Sequence, residues 1–305
     1  MNIPNNQSSE SEIDFSEIIS LLWSEKKLII KAFLVSGLFS ILVALSLSNY
    51  YKSSSILEIA ETSSSMSGLG QYGDLASVVG ISLPSNSQNK ATRVIETIKS
   101  RDFISHLLRI ENFAPALMAA DGFDPASGEI IFDSSRYDVK DDKWKSSFFS
   151  SGSSKPTDLD IHRRYIKDII SVSQDRRSGL ITISVEHLSP VFAKKFLDLI
   201  IDEANSLLRE KDLKDSSEAL LYLESQLSKT SLIEMKDSLN KLIQVQLETQ
   251  MLANVSSDYV LKAIEPPYLP EKKSRPSRAI ICIITTMVGT FLAFALILVR
   301  HFIKK

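Results

Sequence analysis

Residues 279–299 of this 305-residue chain, AIICIITTMVGTFLAFALILV, are 21 consecutive uncharged residues, and no other feature limits the fold as much. A helix rises 1.5 Å per residue, so a run of that length is enough to cross a hydrocarbon core of ~30 Å. The stretch just before it, residues 265–278 (EPPYLPEKKSRPSR), joins proline punctuation to positive charge. The sequence therefore places this part of the chain in a membrane.

Mean hydropathy over the chain is only +0.02, because two apolar runs are averaged with a polar middle. The second run, residues 28–47 (LIIKAFLVSGLFSILVALSL), carries one charge, Lys31, near enough to its edge to snorkel toward headgroups. A cleaved leader is the competing reading, with Ser46-Leu47-Ser48 as a weak cleavage site. The 27 preceding residues open acidic (Glu10, Glu12, Asp14, Glu17), where a leader should be basic, so a retained span is expected.

Positive flanks stay cytoplasmic. Lys26, Lys27 and Lys31 stand before or at the edge of the first span, against Lys52 after it, while the flanks of the second span are nearly balanced. Both termini are then expected in the cytoplasm, with the segment between the spans on the far side. That segment contains no cysteine, Cys282 lying within the second span, so it must fold on its own core. Its formal charge is −3, the chain's −2 less −2 for residues 1–47 and less +3 for residues 279–305. No basic footprint for nucleic acid is present.

Residues 1–13 are polar, and Phe15, Ile18, Ile19, Leu22 and Trp23 then have helical spacing, reading as an interfacial helix with Trp23, Lys26 and Lys27 at headgroup depth. Small residues recur every four positions in both spans: Ala32, Ser36, Ser40, Ala44 and Ser48 in the first, Thr285, Gly289 and Ala293 in the second. Such spacing lets helix backbones approach closely.

Tyr50–Ala60 reads as a strand, and residues 61–90 as an irregular Ser/Gly-rich segment with a helical turn near Leu75–Val79. Ala91–Ile110 reads as one amphipathic helix, residues 112–157 as loops and short helices, and residues from about Asp158 as another short helix. Ile169–Gln174 and Leu180–His187, joined through Gly179, read as an antiparallel hairpin. Ser189-Pro190 then caps a helix, with proline at its first position.

No Gly or Pro follows until Pro266. Ala193, Phe196, Leu197, Ile200, Ile201, Ala204, Leu207 and Leu208 form a stripe suited to packing on a sheet. Arg209–Glu218 is polar, with Glu210/Lys214 and Lys211/Asp215 spaced to pair on a helix clear of the core. Leu220, Leu223 and Leu227 are echoed by Leu232, Met235, Leu239 and Leu242, and Ser231–Glu234 matches a capping box. This predicts a helical hairpin turning near Lys229–Ser231, although one helix of ~95 Å also fits the rise per residue. Tyr259–Ile264 is a returning strand, and Pro266–Pro276 a stiff strut or a plain linker.

The sequence holds no phosphate-binding glycine loop, nucleophile elbow, dinucleotide fingerprint or metal-ligand spacing. His106, His162, His187 and His301 sit in unrelated settings, so no catalytic, cofactor or metal residue is expected.

Over essentially its whole length the chain resembles the polysaccharide co-polymerases, the bacterial chain-length determinants of the Wzz type. The resemblance rests on several stretches: the acidic, apolar lead-in Asp14–Trp23, the strand Lys52–Ala60, Ser100–Phe103, and the strand-to-helix junction Ser184–Lys194. Most specific is the proline-rich signature Pro267, Pro270, Pro276 and Arg278 before the second span, in which Lys273 replaces one expected proline.

The resemblance implies a membrane-anchored α+β protein of the bacterial inner membrane. Two transmembrane helices would flank a periplasmic domain with a small mixed sheet at its base and a long extended helical arm. The expected layout is a cytoplasmic tail 1–27, span 28–47, α/β base 48–188, arm 189–255, returning strand and strut 256–278, span 279–299 and cytoplasmic tail 300–305. It further implies a ring-like homo-oligomer without activity of its own, which sets O-antigen chain length with a separate integral-membrane polymerase acting on lipid-linked polysaccharide. A capsule or exopolysaccharide export subunit is the alternative. With six residues after Val299, any tyrosine autokinase partner would be a separate chain.

Overall fold

Hydroxyl side chains set where helices begin in the central domain, at Ser100, Thr157 and Ser189. The structure is a computed structural model and describes residues 23, 25–60, 87–145, 155–256 and 258–304. The expected interfacial helix, Trp23 apart, and the turn near Leu75–Val79 lie outside the described residues. Contacts divide the chain into two units, one of Met1–Asn49 with Arg275–Lys305 and one of Tyr50–Ser274.

The first unit pairs helix α1 (Lys26–Ser46) with a long helix near the C-terminus, Arg278–Lys304. Both are long and apolar enough to cross a membrane, and only 11% of each apolar window is buried. Phe33, Leu34, Leu38, Phe39, Ile283, Met287 and Phe291 face outward at more than half exposure, as expected of side chains solvated by lipid.

The second unit is built on a sheet ordered β6-β7-β1-β8: β1 Tyr50–Ile59, β6 Ile170–Gln174, β7 Ile181–His187 and β8 Leu261–Glu265. The short strand β9, Lys273–Arg275, also pairs β1. Pairings β1–β7, β1–β8 and β6–β7 are all antiparallel, where a mixed sheet was expected. Each of these strands turns back through a hairpin or a helical excursion that returns it in the opposite sense.

Ala91–Ile110 is two helices, α2 (Ser87–Lys99) and α3 (Arg101–Ile110), instead of the single one expected. Ser100 is extended (φ −69°, ψ 155°), and its hydroxyl accepts from the Phe103 N–H at 3.1 Å, so it starts a new helix. The poorly patterned region after it holds α4 (Ala114–Ala119) and two small hairpins, β2 (Ala120–Phe123) with β3 (Ile130–Phe132) and β4 (Tyr137–Asp138) with β5 (Lys143–Trp144). Strands of two to four residues are too short to show alternation, which is why the sequence read as loop there.

Helix α5 (Asp158–Arg164) opens with a full capping box between Thr157 and Asp160 and runs through a π-helical turn into β6. Ser189 caps α6 (Pro190–Lys229) by accepting from the Phe192 N–H at 3.2 Å. Phe196, Leu197, Ile200 and Ala204 of α6, fully buried, meet Leu57, Ile181, Ile183 and Val185 of the sheet, with Val94, Ile98, Phe103 and Leu107 of α2 and α3 closing the core. Tyr165 is buried there too, its hydroxyl donating to the Ile98 carbonyl at 3.1 Å; burial pushes its ionisation far above the usual phenol range.

A hairpin, not a single long helix, follows. Thr230 and Leu232 are extended, and α7 (Ile233–Val255) runs back along α6. Leu223 and Leu242 are buried between them, the Gln250 amide donates to the Ser217 hydroxyl at 2.9 Å, and Arg209 donates to the Ser256 carbonyl at 2.8 Å. The capping box expected at Ser231–Glu234 does not form. The helix starts at Ile233 with Leu232 as its N-cap, so Glu234 falls one position too early to reach back. The polar interval Arg209–Glu218 is not clear of the core either, since Ser216 is buried and Asp212 is held by Arg93 and Tyr259.

Candidate functional site in the span pair and the proline segment

Two places hold the residues that the sequence singles out, one in each unit. In the first, α1 packs antiparallel on the C-terminal helix Arg278–Lys304, labelled α8. A Cβ added to Gly289 would lie 2.5 Å from the Ser36 Cβ and 3.1 Å from its hydroxyl oxygen, so the absent side chain is what lets the helices meet. Ser40, fully buried, donates to the Cys282 carbonyl at 3.2 Å, while the Cys282 thiol lies 3.9 Å from the Ser40 carbonyl. A Cβ added to Gly37 would lie 3.9 Å from the Thr286 hydroxyl oxygen, in ordinary contact. Ala44, Ala293 and Ile297 are buried as well, and Arg278 donates to the Asn49 side-chain oxygen at 3.1 Å.

Of the residues singled out in the sequence, Ser36 and Gly289 are brought directly together, and Ser40, Ala44 and Ala293 are buried; Ala32 and Thr285 are half-buried. Sequence reasoning missed Gly37, Cys282, Thr286 and Ile297. Strict four-residue steps drift around a helix of 3.6 residues per turn, so a contact face mixes steps of three and four. Positions 282, 286, 289, 293 and 297 follow that mixture.

The second place is the chain after β8. Residues 266–271 form neither helix nor strand, yet they are fastened along β1. Ser55, fully buried, donates to the Glu265 carbonyl at 2.7 Å. Ser53, also fully buried, donates to the Tyr268 carbonyl at 2.7 Å, and the Ser54 hydroxyl donates to the Tyr268 phenol oxygen at 3.3 Å. Pro266, Pro267 and Pro270 supply no N–H, so at those three positions the backbone can be tied only through its carbonyls. Pro270 is buried, and Pro267 and Pro276 are half-buried. Lys273 opens β9 at the position where the resemblance expects a proline, and Ser274 hydrogen-bonds Glu186. The segment, which the sequence reads as a stiff strut or a plain linker, is thus a strap tied along β1.

Three of the histidines, His106, His162 and His187, bond within the fold. His187 Nε2 donates to the Ala116 carbonyl at 2.9 Å while Nδ1 accepts from the Ser189 N–H at 3.1 Å, which fixes a neutral ring. Burial lowers its pKa to about 4. His162 bonds the Lys99 carbonyl at 2.9 Å, and His106 lies 3.0 Å from Glu203. Among the described residues no group of three His, Cys, Asp or Glu side chains could hold a metal ion.

Fold and site define an α/β domain joined to a pair of apolar, membrane-length helices. Residues 11–110 match the family model of the chain length determinant proteins, Wzz. Two sequences of the capsule polysaccharide export inner-membrane protein KpsE of Escherichia coli, one from the O6:H1 strain CFT073, are 32% identical over 66 residues. That stretch is 22% of this chain and 17% of KpsE, so the chain matches only a small part of those relatives' length. Among solved structures, a full-length bacterial polysaccharide co-polymerase is similar over 95% of this chain and 98% of that one, at 11% identity and a TM-score of 0.44. A fragment of the co-polymerase WzzB from Salmonella Typhimurium is similar over 74% of this chain and 100% of that one, at 13% identity and a TM-score of 0.30.

Proposed function

We propose that this protein is a non-enzymatic regulator of polysaccharide chain length, an inner-membrane co-polymerase acting as a ring-like homo-oligomer beside a separate polymerase. The observation that carries the reading is the family match over residues 11–110, which takes in the first apolar helix and β1. The polysaccharide is O-antigen in the favoured reading. Both termini are cytoplasmic on the strength of Lys26 and Lys27, and residues 48–278 are periplasmic. In this reading the span-pair face of Ser36, Ser40, Gly289 and Ala293 keeps the two spans together, and the strap holding Pro267, Pro270, Pro276 and Arg278 governs how the bilayer is coupled to the sheet. The polymerase works on lipid-linked polysaccharide.

A second reading, a capsule or exopolysaccharide export subunit, is favoured by the identity with KpsE. Deleting the gene and running lipopolysaccharide on a gel separates the two. Loss or displacement of the modal O-antigen band supports length control; an unchanged ladder with capsule lost or retained inside the cell supports export. Pro267→Ala with Pro270→Ala should shift the modal length at normal expression and membrane insertion, and an unshifted band would reduce the strap to a connector.

A further inference from the structure

The seam between α1 and α8 ends in a cluster of positive charge. Gly289 meets Ser36 and the Ser40 hydroxyl bonds the Cys282 carbonyl, so the helices run antiparallel and the start of α1 lies beside the end of α8. At 1.5 Å per residue, Lys26 stands about 15 Å from the Ser36–Gly289 contact along α1, and Arg300 about 16.5 Å from it along α8, so the two share one level. Both also continue the contact seam. The face of α8 that buries Ala293 and Ile297 reaches Arg300 in one further step of three residues, and on α1 half-buried Ile29 reaches Lys26 in the same step. Lys27 follows Lys26, and Lys31 lies one turn deeper on the same side of the helix as Lys27.

All four cations are exposed, and among the described residues none of them forms an ion pair; Glu25, the acid beside them in the chain, forms none either. Like charges four residues apart on a helix, as Lys27 and Lys31 are, repel each other. Lys31 follows three apolar residues, Leu28-Ile29-Ile30, in a helix long and apolar enough to cross a membrane. Its stem snorkels toward the start of α1, the direction in which Cα–Cβ bonds tilt, and this brings its ammonium toward that of Lys27. An anion at this end of the seam relieves the crowding. The surface around it selects the kind of anion: Leu28, Ile30 and Val299 are exposed beside the cations, so the site is charged at its rim and apolar below. Trp23, 72% exposed, adds an indole with the Lys26 ammonium 5.5 Å from its centroid, a pairing suited to headgroup depth. A free ion has no use for the apolar part; an amphiphile fits both.

We propose that Lys26, Lys27, Lys31 and Arg300 bind the phosphate headgroup of an anionic phospholipid, whose acyl chains lie on the exposed apolar side chains of the two spans. The lipid then bridges α1 and α8 at the end of their seam and adds to the contact made by Ser36 and Gly289. This asks only that the two helices span a bilayer, and it stands apart from which polysaccharide the protein serves.

The test uses the full-length protein in an uncharged detergent, carrying Trp144→Phe so that Trp23 is its one remaining tryptophan. Phosphatidylglycerol with brominated acyl chains should quench Trp23 at about a hundredfold lower mole fraction than brominated phosphatidylcholine of the same chain length. Lys27→Gln with Lys31→Gln should weaken the phosphatidylglycerol response about thirtyfold, and Arg300→Gln, on the other helix, about fivefold. Lys27→Arg with Lys31→Arg should retain it, which separates lost charge from a disturbed helix. Equal quenching by the two lipids overturns the headgroup site, and an undiminished response in both glutamine variants overturns its assignment to these residues. Inorganic phosphate should displace the brominated phosphatidylglycerol no better than chloride at matched ionic strength. Displacement by phosphate beyond that would make this a free-anion site and overturn the lipid.

Discussion

Asn205 is the side chain whose loss should most damage the path from α6 to the strap. It is 5% exposed, and its amide fits β8 as a strand would. Its oxygen accepts from the Val260 N–H at 3.0 Å and the Leu261 N–H at 2.8 Å, while its nitrogen donates to the Leu261 carbonyl at 2.9 Å. Asn205→Ala leaves two N–H groups and one carbonyl without these partners. Each buried orphan costs about 1–3 kcal/mol, and Val260 is half-buried so that water recovers part of it; a loss of about 3–5 kcal/mol is expected. Native-state hydrogen exchange on the full-length protein reads this directly. Protection at Val260 and Leu261 should fall by about two to three orders of magnitude, with Ile183 in β7 affected less. Asn205→Asp adds a discriminating arm: it keeps the acceptor for both N–H groups but sets an oxygen against the Leu261 carbonyl, so its stability should recover in acid, where the protonated carboxyl donates again. If Asn205→Ala lies within about 0.5 kcal/mol of wild type, the strand is held by its ladder alone and the argument fails.

Three further outcomes follow from the same structure. Gly289→Ala drives a Cβ into Ser36 and should destabilise the span pair by about 1–3 kcal/mol, whereas adding Ser36→Gly should restore it; thermal unfolding in detergent without that rescue would show that the helices meet elsewhere. Lowering the His187 pKa to about 4 makes the neutral ring the folded form, so stability is full above pH ~6.5 and falls below it, by about 3 kcal/mol near pH 4. His187→Gln should flatten that slope, and an unchanged pH profile would assign it to other groups. Ser53→Ala with Ser55→Ala removes the two buried ties on the Tyr268 and Glu265 carbonyls and should make residues 265–271 exchange faster and shift modal chain length as the proline variant does; wild-type exchange there would mean that the strap is held by its prolines.

Much of the fold was legible because the local signals were strong. The two apolar runs, the hairpin around Gly179 and the Ser189-Pro190 helix start all carry periodic or capping signals that need no distant partner. Ser100 carried the same kind of signal as Ser189, but without a following proline it was absorbed into the surrounding helical pattern. The arm was ambiguous for a different reason. Two helices joined through the non-helical residues 230–232 and one unbroken helix show the same three-four spacing of leucines, and contacts between distant residues, Leu223 with Leu242 and Ser217 with Gln250, separate them. On the span pair, the spacing rule found Ser36, Ser40, Gly289 and Ala293 but passed over Gly37, Cys282 and Thr286, whose part depends on the rotation of the opposite helix.

By itself, then, the sequence determined the pair of apolar helices, the core stripe of α6 and the presence of a proline-rich collar, because hydrophobic period and backbone restriction are properties of neighbouring residues. Tertiary structure alone decided that the collar lies tied to β1 through Ser53 and Ser55, that Asn205 completes the edge of β8, and that Arg93 and Tyr259 meet at Asp212. Those arrangements join residues 47 to 215 positions apart, as Asp212–Tyr259 and Ser53–Tyr268 do, and no local pattern encodes which distant partner a hydroxyl, amide or guanidinium will meet.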